Sequence, residues 1–397
     1  MTKRTLAQLE PAHLDGQRVV VRVDLNVPMT DGKVTDDTRI RASLPTIRYL
    51  HDRGARVVLM SHLGRPKGGP DSKYSLKPLA RELEKQLGFP VTFVADPTSA
   101  DAAAKVRHMP RGGVALAENT RFYPGEEKND AALADQFAAL GDMYVNDAFG
   151  SAHRAHASTE AIAHRLKPAV AGFLMEKELQ FLGDAVDHPR RPLVAILGGA
   201  KISGKIDLVE ALLPKVDRIL IGGAMACTFF KAMGFETGNS LVEADRVSMA
   251  KALLDKAGEK LVLPTGAVIA RKLEAGAETR EVARDQVPVG WAVFDIDSAT
   301  VKTFGEIVAG AKTVIWNGPM GVFETPPFDA GTLGVARALA AATGAGAVTI
   351  VGGGDSAAAL AAAGLDDQVT HVSTGGGASL EFLEGKPLPG VVALDNA

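Results

Sequence analysis

In the first half of the chain, apolar runs end in charged or polar side chains. VVVRVDLN ends in Asp24 and Asn26, VVLMSHLGR in His62 and Arg65, and VALAENTR in Arg121. Arg39 and Arg154 complete a set rich in guanidinium groups. Arginine suits bidentate binding of carboxylate and phosphate. Several arginines converging on one crevice would therefore take a small molecule that carries both groups. Taken singly, each arginine reads as a surface ion-pair partner, and His62 as a structural histidine. His153 and His156 in SAHRAHAS look like a metal pair, but i, i+3 spacing is weak evidence and no metal is expected there.

In the second half, the runs end in glycine: LVAILGGAK, RILIGGAM, TVIWNGPMG, VTIVGGGDS and THVSTGGGAS. The segment from Gly199 to Lys205 matches G-x-x-x-x-G-K, but Ile206 stands where a P-loop needs Ser or Thr. It is a failed Walker match that still sets Lys201 and Lys205 in a strand-to-helix turn, where backbone N–H groups favour anions. Its plainer reading is a glycine turn with solvated lysines. Gly352-Gly353-Gly354-Asp355-Ser356 joins another strand to another helix. Consecutive glycines carry an entropic cost that makes sense where backbone must approach a ligand. Asp355 or Ser356 is expected to cap the helix. If Ser356 or the backbone caps it, Asp355 is free to hold Mg²⁺ beside phosphates. Gly375 and Gly376 close the last strand similarly. Trp316, Asn317 and Glu324 offer apolar surface and a polar rim suited to a nucleoside.

Neither G-x-S-x-G nor H-E-x-x-H occurs, and the lone Cys227 reads as a small core residue. Two anion-binding surfaces without a nucleophile point to phosphoryl transfer, which needs positioning and charge stabilisation. An NAD-dependent dehydrogenase should carry G-x-G-x-x-G after its first strand, and this chain does not. A non-catalytic ATP-binding regulator would leave the Arg/His set unexplained.

The elements that position these residues alternate. Near-continuous apolar runs read as parallel strands buried on both faces, at Arg56–Met60, Val91–Ala95, Val114–Ala117, Leu193–Leu197, Arg218–Ile221, Thr313–Trp316 and Val348–Val351. Helical patterns fall between them, at Leu76–Leu87, Ala131–Leu140, Ile206–Leu213, Ala244–Ala257, Thr332–Ala342 and Ser356–Ala363. The expected fold is α/β, with two Rossmann-like doubly wound parallel-sheet domains joined by an interdomain helix. Met175, Leu179, Leu182 and Val186 share one face of that helix, between Pro168 and Pro189. Residues 1–169, with a returning tail 385–397, form the first expected domain, and residues 170–384 the second.

A length of 397 residues fits two domains. Glycine numbers 42 against about 28 at typical usage, and much of the surplus sits in the strand-end loops. A net charge of −3 argues against nucleic acid. One cysteine excludes an intrachain disulfide and suits a reducing, cytoplasmic setting. No apolar h-region opens the chain, and no run approaches a membrane span.

The stretches RVDLNVP, SHLGRP, ENTRFYPGE, NDAFGSAHRAHAST, LGGAKISGKI, IGGAMACTF, WNGPMGVFE, VGGGDSAAA and HVSTGGGASLEFLEGKPLPGV closely resemble the phosphoglycerate kinase family. The resemblance runs in order from residue 22 to residue 391. It implies that the first domain binds 3-phosphoglycerate through Asp24, Asn26, Arg39, His62, Arg65, Arg121 and Arg154. It implies that the second binds MgATP or MgADP through Lys201, Lys205, Asn317, Glu324, Gly353, Gly354, Asp355 and Ser356, with Asp355 on the metal. The expected reaction is direct, in-line transfer between 1,3-bisphosphoglycerate and ADP after hinge-bending closure of a monomer. Arg39 and Lys201 are assigned to the charge of the moving phosphoryl group, and the loops at Gly353, Gly375 and Gly376 to backbone donors. Two departures from the family pattern are Gly204, where an acidic residue is usual, and Thr265-Gly266, where an Asp is usual.

Overall fold

The computed structural model describes residues 2–67 and 69–397. Two compact units emerge: Met1–Leu179 with Pro387–Ala397, and Gln180–Lys386.

The first unit is built on a six-stranded parallel sheet. Its order is Val91–Val94, Val114–Ala117, Arg56–Met60, Arg18–Val23, Met143–Asp147, Ala169–Ala171. The central strands are buried almost throughout because helices cover both faces. Lys77–Leu87 shows how such a helix is specified. It buries Leu79, Ala80, Leu83 and Leu87 on one stripe and stops at Gly88, whose φ of +85° only glycine takes freely. Ser99 and Asp130 cap the helices Ala100–Arg107 and Ala131–Ala138 with side-chain oxygens. The chain's last residues pack on this unit: Gly390 donates to the Ala152 carbonyl at 2.9 Å, and Lys3 Nζ reaches the Leu394 carbonyl at 2.8 Å.

The second unit repeats the plan with strands in the order Leu261–Val262, Arg218–Ile221, Leu193–Leu197, Thr313–Asn317, Val348–Gly352, His371–Val372. All are parallel. Counting only these strands along the chain, the order is 3-2-1-4-5-6, the doubly wound arrangement whose ligand crevice opens where the order reverses. Here that point lies between Leu193–Leu197 and Thr313–Asn317. In the first unit it lies between Arg18–Val23 and Met143–Asp147. A separate antiparallel sheet, Thr279–Ala283, Gly266–Ala270, Ala292–Ile296, is an addition that the apolar runs did not indicate. Its outer strand, TREVA, is largely exposed and charged, so it has no buried-strand signature. Gly266 begins the middle strand, where a Cβ would lie 2.3 Å from Asp297 Oδ2.

The helix Phe173–Asp187 runs from one unit into the other, with Met175, Leu182 and Val186 buried. Other helices begin or end within a few residues of their expected limits: Ala330–Gly344, Gly354–Ala362 and Val247–Ala257, the last preceded by a 3-10 turn at Ala244–Arg246.

Candidate functional site

In the first unit, the strand-end loops are tied into one surface. Asp24 follows the strand Arg18–Val23 and accepts the Asn26 N–H at 3.1 Å, an Asx turn that fixes the loop. Arg39, in the first turn of the helix Thr38–Asp52, places Nη1 3.3 Å from Asp24 Oδ1 and 3.0 Å from the Asn26 carbonyl. Asn26 Oδ1 accepts the Gly64 N–H at 2.8 Å, and Arg121 Nη1 donates to the Gly64 carbonyl at 2.7 Å. Asn119, fully buried, caps the turn that carries Arg121 and clamps it to the Leu63 backbone.

His62 is buried at the centre of this surface. Burial holds its imidazole well below the ordinary pKa, and Arg22, Arg121, Arg154 and Arg39 all push the same way. The four guanidinium groups are thus close enough to act on one ring. Burial also lowers Arg121, offset in part by Glu127 at 3.3 Å from its Nε, while Arg154 and Arg22 lower it further. The structure brings Asp24, Asn26, Arg39, His62, Arg121 and Arg154 together, with Arg65 exposed just beyond Gly64. An anion with several oxygens suits this surface.

Sequence reasoning passed over Arg22, Ser158 and Glu126, and weighed His156 only as a metal ligand. Arg22 is fully buried in the strand Arg18–Val23. Its signal was a charge inside an unbroken valine run. His156 is buried, and its pKa falls to about 4 through burial and the same arginines. Among the described residues, no group of three or more His, Cys, Asp or Glu side chains is arranged to hold a metal ion.

In the second unit, Lys205 lies at the start of the helix Ile206–Leu212 and turns inward. Its Nζ donates to the Asn317 carbonyl at 2.7 Å and to Asn317 Oδ1. Burial pulls its pKa down to about 8, with Asp355 pulling the other way. Asn317 ends the strand Thr313–Asn317, at the point where the strand order reverses. With its oxygen engaged by Lys205, its Nδ2 is a buried donor that has no partner. That nitrogen lies 3.2 Å from where a Cβ on Gly353 would be. Ser203 donates to Glu243 through both its N–H, at 3.0 Å, and its hydroxyl, at 2.5 Å, and so moors the loop that carries Lys201 and Lys205. Lys201, Glu324 and Asp355 are exposed.

Three expectations are corrected here. Neither Asp355 nor Ser356 caps the helix Gly354–Ala362, because the cap position is Gly353 and no side chain serves it. Asp355 stands in the first turn, and the fully buried Ser356 hydroxyl instead accepts the Gly318 N–H at 2.7 Å. Trp316 offers no surface to a nucleoside. It is fully buried in the sheet's core, with Nε1 donating to the Gly318 carbonyl at 2.8 Å. The glycines also divide into two kinds. A Cβ on Gly198 would lie 2.0 Å from the Pro319 carbonyl, and one on Gly223 would lie 2.4 Å from Gly199 N. These glycines let loops pack backbone against backbone, as in Gly199 N–H to the Pro319 carbonyl and Gly223 N–H to the Met320 carbonyl, both 2.9 Å. Gly354 and Gly376 instead face open space. Gly375 is buried, and its N–H donates to Ser373 Oγ at 3.1 Å. Cys227 is buried with its thiol pushed up to about 12, which leaves it no role as a nucleophile.

Two doubly wound units, one lined with guanidinium groups and the other with a half-buried lysine and open glycines, define a two-domain α/β kinase. The phosphoglycerate kinase family model matches residues 9–386. A phosphoglycerate kinase of Synechococcus elongatus is 54% identical over the full length of both chains. Phosphoglycerate kinase 3, cytosolic, of Arabidopsis thaliana is 55% identical, again over both full lengths. The structure of phosphoglycerate kinase from Coxiella burnetii matches with a TM-score of 0.89 at 42% identity, covering 98% of each chain. The chain belongs to the phosphoglycerate kinase family, and it is a kinase of that type.

Proposed function

We propose that this chain transfers a phosphoryl group reversibly between 1,3-bisphosphoglycerate and ADP, giving 3-phosphoglycerate and ATP. The acid substrate occupies the first unit, held by Asp24, Asn26, Arg39, His62, Arg65, Arg121 and Arg154. The nucleotide occupies the second, held by Lys201, Lys205, Asn317, Glu324, Gly353, Gly354, Asp355 and Ser356. The observation that carries the nucleotide assignment is the unpartnered, buried Asn317 Nδ2 beside the glycine loop. A buried donor without an acceptor is costly, and a phosphate oxygen would satisfy it.

Magnesium suits the same corner. Asp355 is exposed in the first turn of its helix and is near enough to Lys205 to affect its charge. Mg²⁺ usually takes one or two carboxylates and completes its shell with phosphate oxygens and water, so a single carboxylate is enough when the phosphates arrive with the ion. Bound there, it would neutralise charge on the nucleotide phosphates.

The protein's own part is to bring two anions together. Lys205 holds nucleotide phosphates, and Ser356 acts through the Gly318 loop. The acid substrate's carboxylate and the nucleotide repel each other until Arg39 and Lys201 supply countercharge. The Gly375 N–H is taken by Ser373, so the backbone donor that this loop offers the in-line transition state is at Gly376, which faces open space. Because the ligands belong to different units, transfer requires hinge-bending closure, and the helix Phe173–Asp187 links the moving parts. We further propose a cytoplasmic monomer; the Triticum aestivum and Arabidopsis thaliana relatives are named cytosolic. The test is ATP consumption that depends on 3-phosphoglycerate and needs no nicotinamide cofactor. Equal ATP turnover with and without the acid would overturn the proposal.

A further inference from the structure

Arg22 poses a problem that the substrate contacts do not solve. It is fully buried, in a strand otherwise made of Val19, Val20, Val21 and Val23 inside its first arginine. A buried guanidinium is tolerated only when its donors are used and its charge is balanced. Its Nε donates to Ser158 Oγ at 2.9 Å, Nη1 donates to the Val23 carbonyl, and Nη2 lies 3.0 Å from His62 Nδ1. Ser158 passes the contact on: its hydroxyl donates to Glu126 Oε1 at 2.5 Å and its N–H to Oε2 at 3.0 Å. Glu126 and Ser158 are both fully buried. Glu126 is therefore the countercharge of Arg22, one hydroxyl removed.

The direction of this chain settles the state of His62. A guanidinium is only a donor and keeps its charge at any ordinary pH. The ring nitrogen facing it, Nδ1, must accept, so the ring proton sits on Nε2. A proton on Nδ1 would set N–H against N–H, and protonating both nitrogens would add a cation to a ring on which Arg39, Arg121 and Arg154 already act. We infer that Glu126 and Ser158 are positioning residues that, through Arg22, lock His62 as the neutral tautomer with Nε2–H free to donate. The group His62 recognises is then an oxygen acceptor on the acid substrate. The substrate half of this inference rests on the proposed function, whereas the tautomer does not.

The ring state is read directly from long-range proton–nitrogen NMR correlations of the ligand-free protein, with His62 assigned by loss of its signals in His62→Asn. The expected result is a single neutral Nε2–H tautomer between about pH 5.5 and 8, the range in which an ordinary histidine titrates. In Ser158→Ala, the His62 signals should become those of mixed tautomers. The KM for 3-phosphoglycerate should rise roughly tenfold while kcat stays within about twofold. Glu126→Gln should act in the same direction, and Ser158→Thr, which keeps the hydroxyl, should restore both readouts. A wild-type ring protonated on Nδ1, or on both nitrogens at neutral pH, overturns the inference and needs no variant to show it. So does a folded Ser158→Ala protein with unchanged tautomer and KM. If the tautomer stands but 3-phosphoglycerate shifts no His62 signal, the lock is supported and the substrate assignment fails instead.

Discussion

Lys205 donates to the main-chain oxygen of Asn317 at 2.7 Å, and so the start of one helix is moored to the last residue of the neighbouring strand. The contact serves two ends. It orients Asn317 so that its amide nitrogen is left for a ligand, and it holds an ammonium group in a half-buried corner.

That burial has a pH consequence. The Lys205 pKa lies near 8, against about 10.4 for a free lysine. Between those values the unfolded chain binds more protons than the folded one, so this residue's contribution to stability rises with pH. Nucleotide binding runs the other way, because incoming phosphate favours the charged ammonium. ADP affinity should fall as pH rises above about 8, with proton uptake on binding at pH 8.5. Calorimetry in buffers of different ionisation enthalpy measures that uptake. Lys205→Met should abolish it, and uptake equal to wild type in that variant would remove Lys205 from the site.

Arg39 is held 3.3 Å from Asp24, whereas Lys201 is exposed. Arg39→Ala and Lys201→Ala should each lower kcat by roughly 10²–10³-fold, the usual loss for one preorganised transition-state donor. Each unit should still bind its own ligand in calorimetry. Near-normal turnover in either variant would sink that residue's assignment.

The two kinds of glycine predict opposite outcomes for one substitution. Gly318 has φ +95°, and a Cβ there would meet the Gly198 carbonyl at 2.4 Å and Lys205 Nζ at 2.7 Å. Gly318→Ala should lower stability by about 2–3 kcal/mol through backbone strain and overpacking. Gly354 opens a helix onto free space, so Gly354→Ala should leave stability unchanged or raise it by up to about 1 kcal/mol. It should nonetheless weaken ADP binding, because the methyl group occupies space a phosphate needs. Denaturation midpoints and ADP titration of the same two proteins separate the cases. Unchanged ADP affinity in Gly354→Ala would make that glycine a helix-start residue only.

The contrast shows what a sequence carries and what it withholds. Strand positions and the change from charged to glycine endings were legible because two-sided burial writes long apolar runs. The purpose of each glycine was not, since it depends on which backbone lies opposite: Gly198 faces Pro319, 121 positions away in the chain. Arg22 was hidden for a related reason. In a strand buried on both faces there is no alternation to show that one side chain reaches across to His62. Trp316 misled because a tryptophan beside a glycine loop looks like a platform, while the sheet places its ring in the core.

Asp147 gives the last prediction. It ends the strand Met143–Asp147, and its Oδ1 accepts the N–H groups of Leu174 and Met175 at 2.8 and 3.2 Å. It thereby closes the open N-terminus of the helix Phe173–Asp187. Phe173 N–H is taken by Thr46 Oγ1 at 3.0 Å, on the helix that begins beside Arg39. Asp147 Oδ2 has no partner, and burial raises the carboxyl pKa to about 6. A raised pKa means the folded state holds the proton longer than the unfolded one, so the stability this group contributes is present at acid pH and lost as pH rises through about 6. Asp147→Ala loses the cap, at about 1–2 kcal/mol at pH 7.5. It also loses the titration, so the gap between wild type and variant should be wider at pH 4.5 than at pH 7.5 by on the order of 2 kcal/mol. Hydrogen exchange at the Leu174 and Met175 amides, followed against pH in both proteins, reads the gap where it arises. A gap that widens with rising pH would mean that the carboxylate is better stabilised charged than its burial allows.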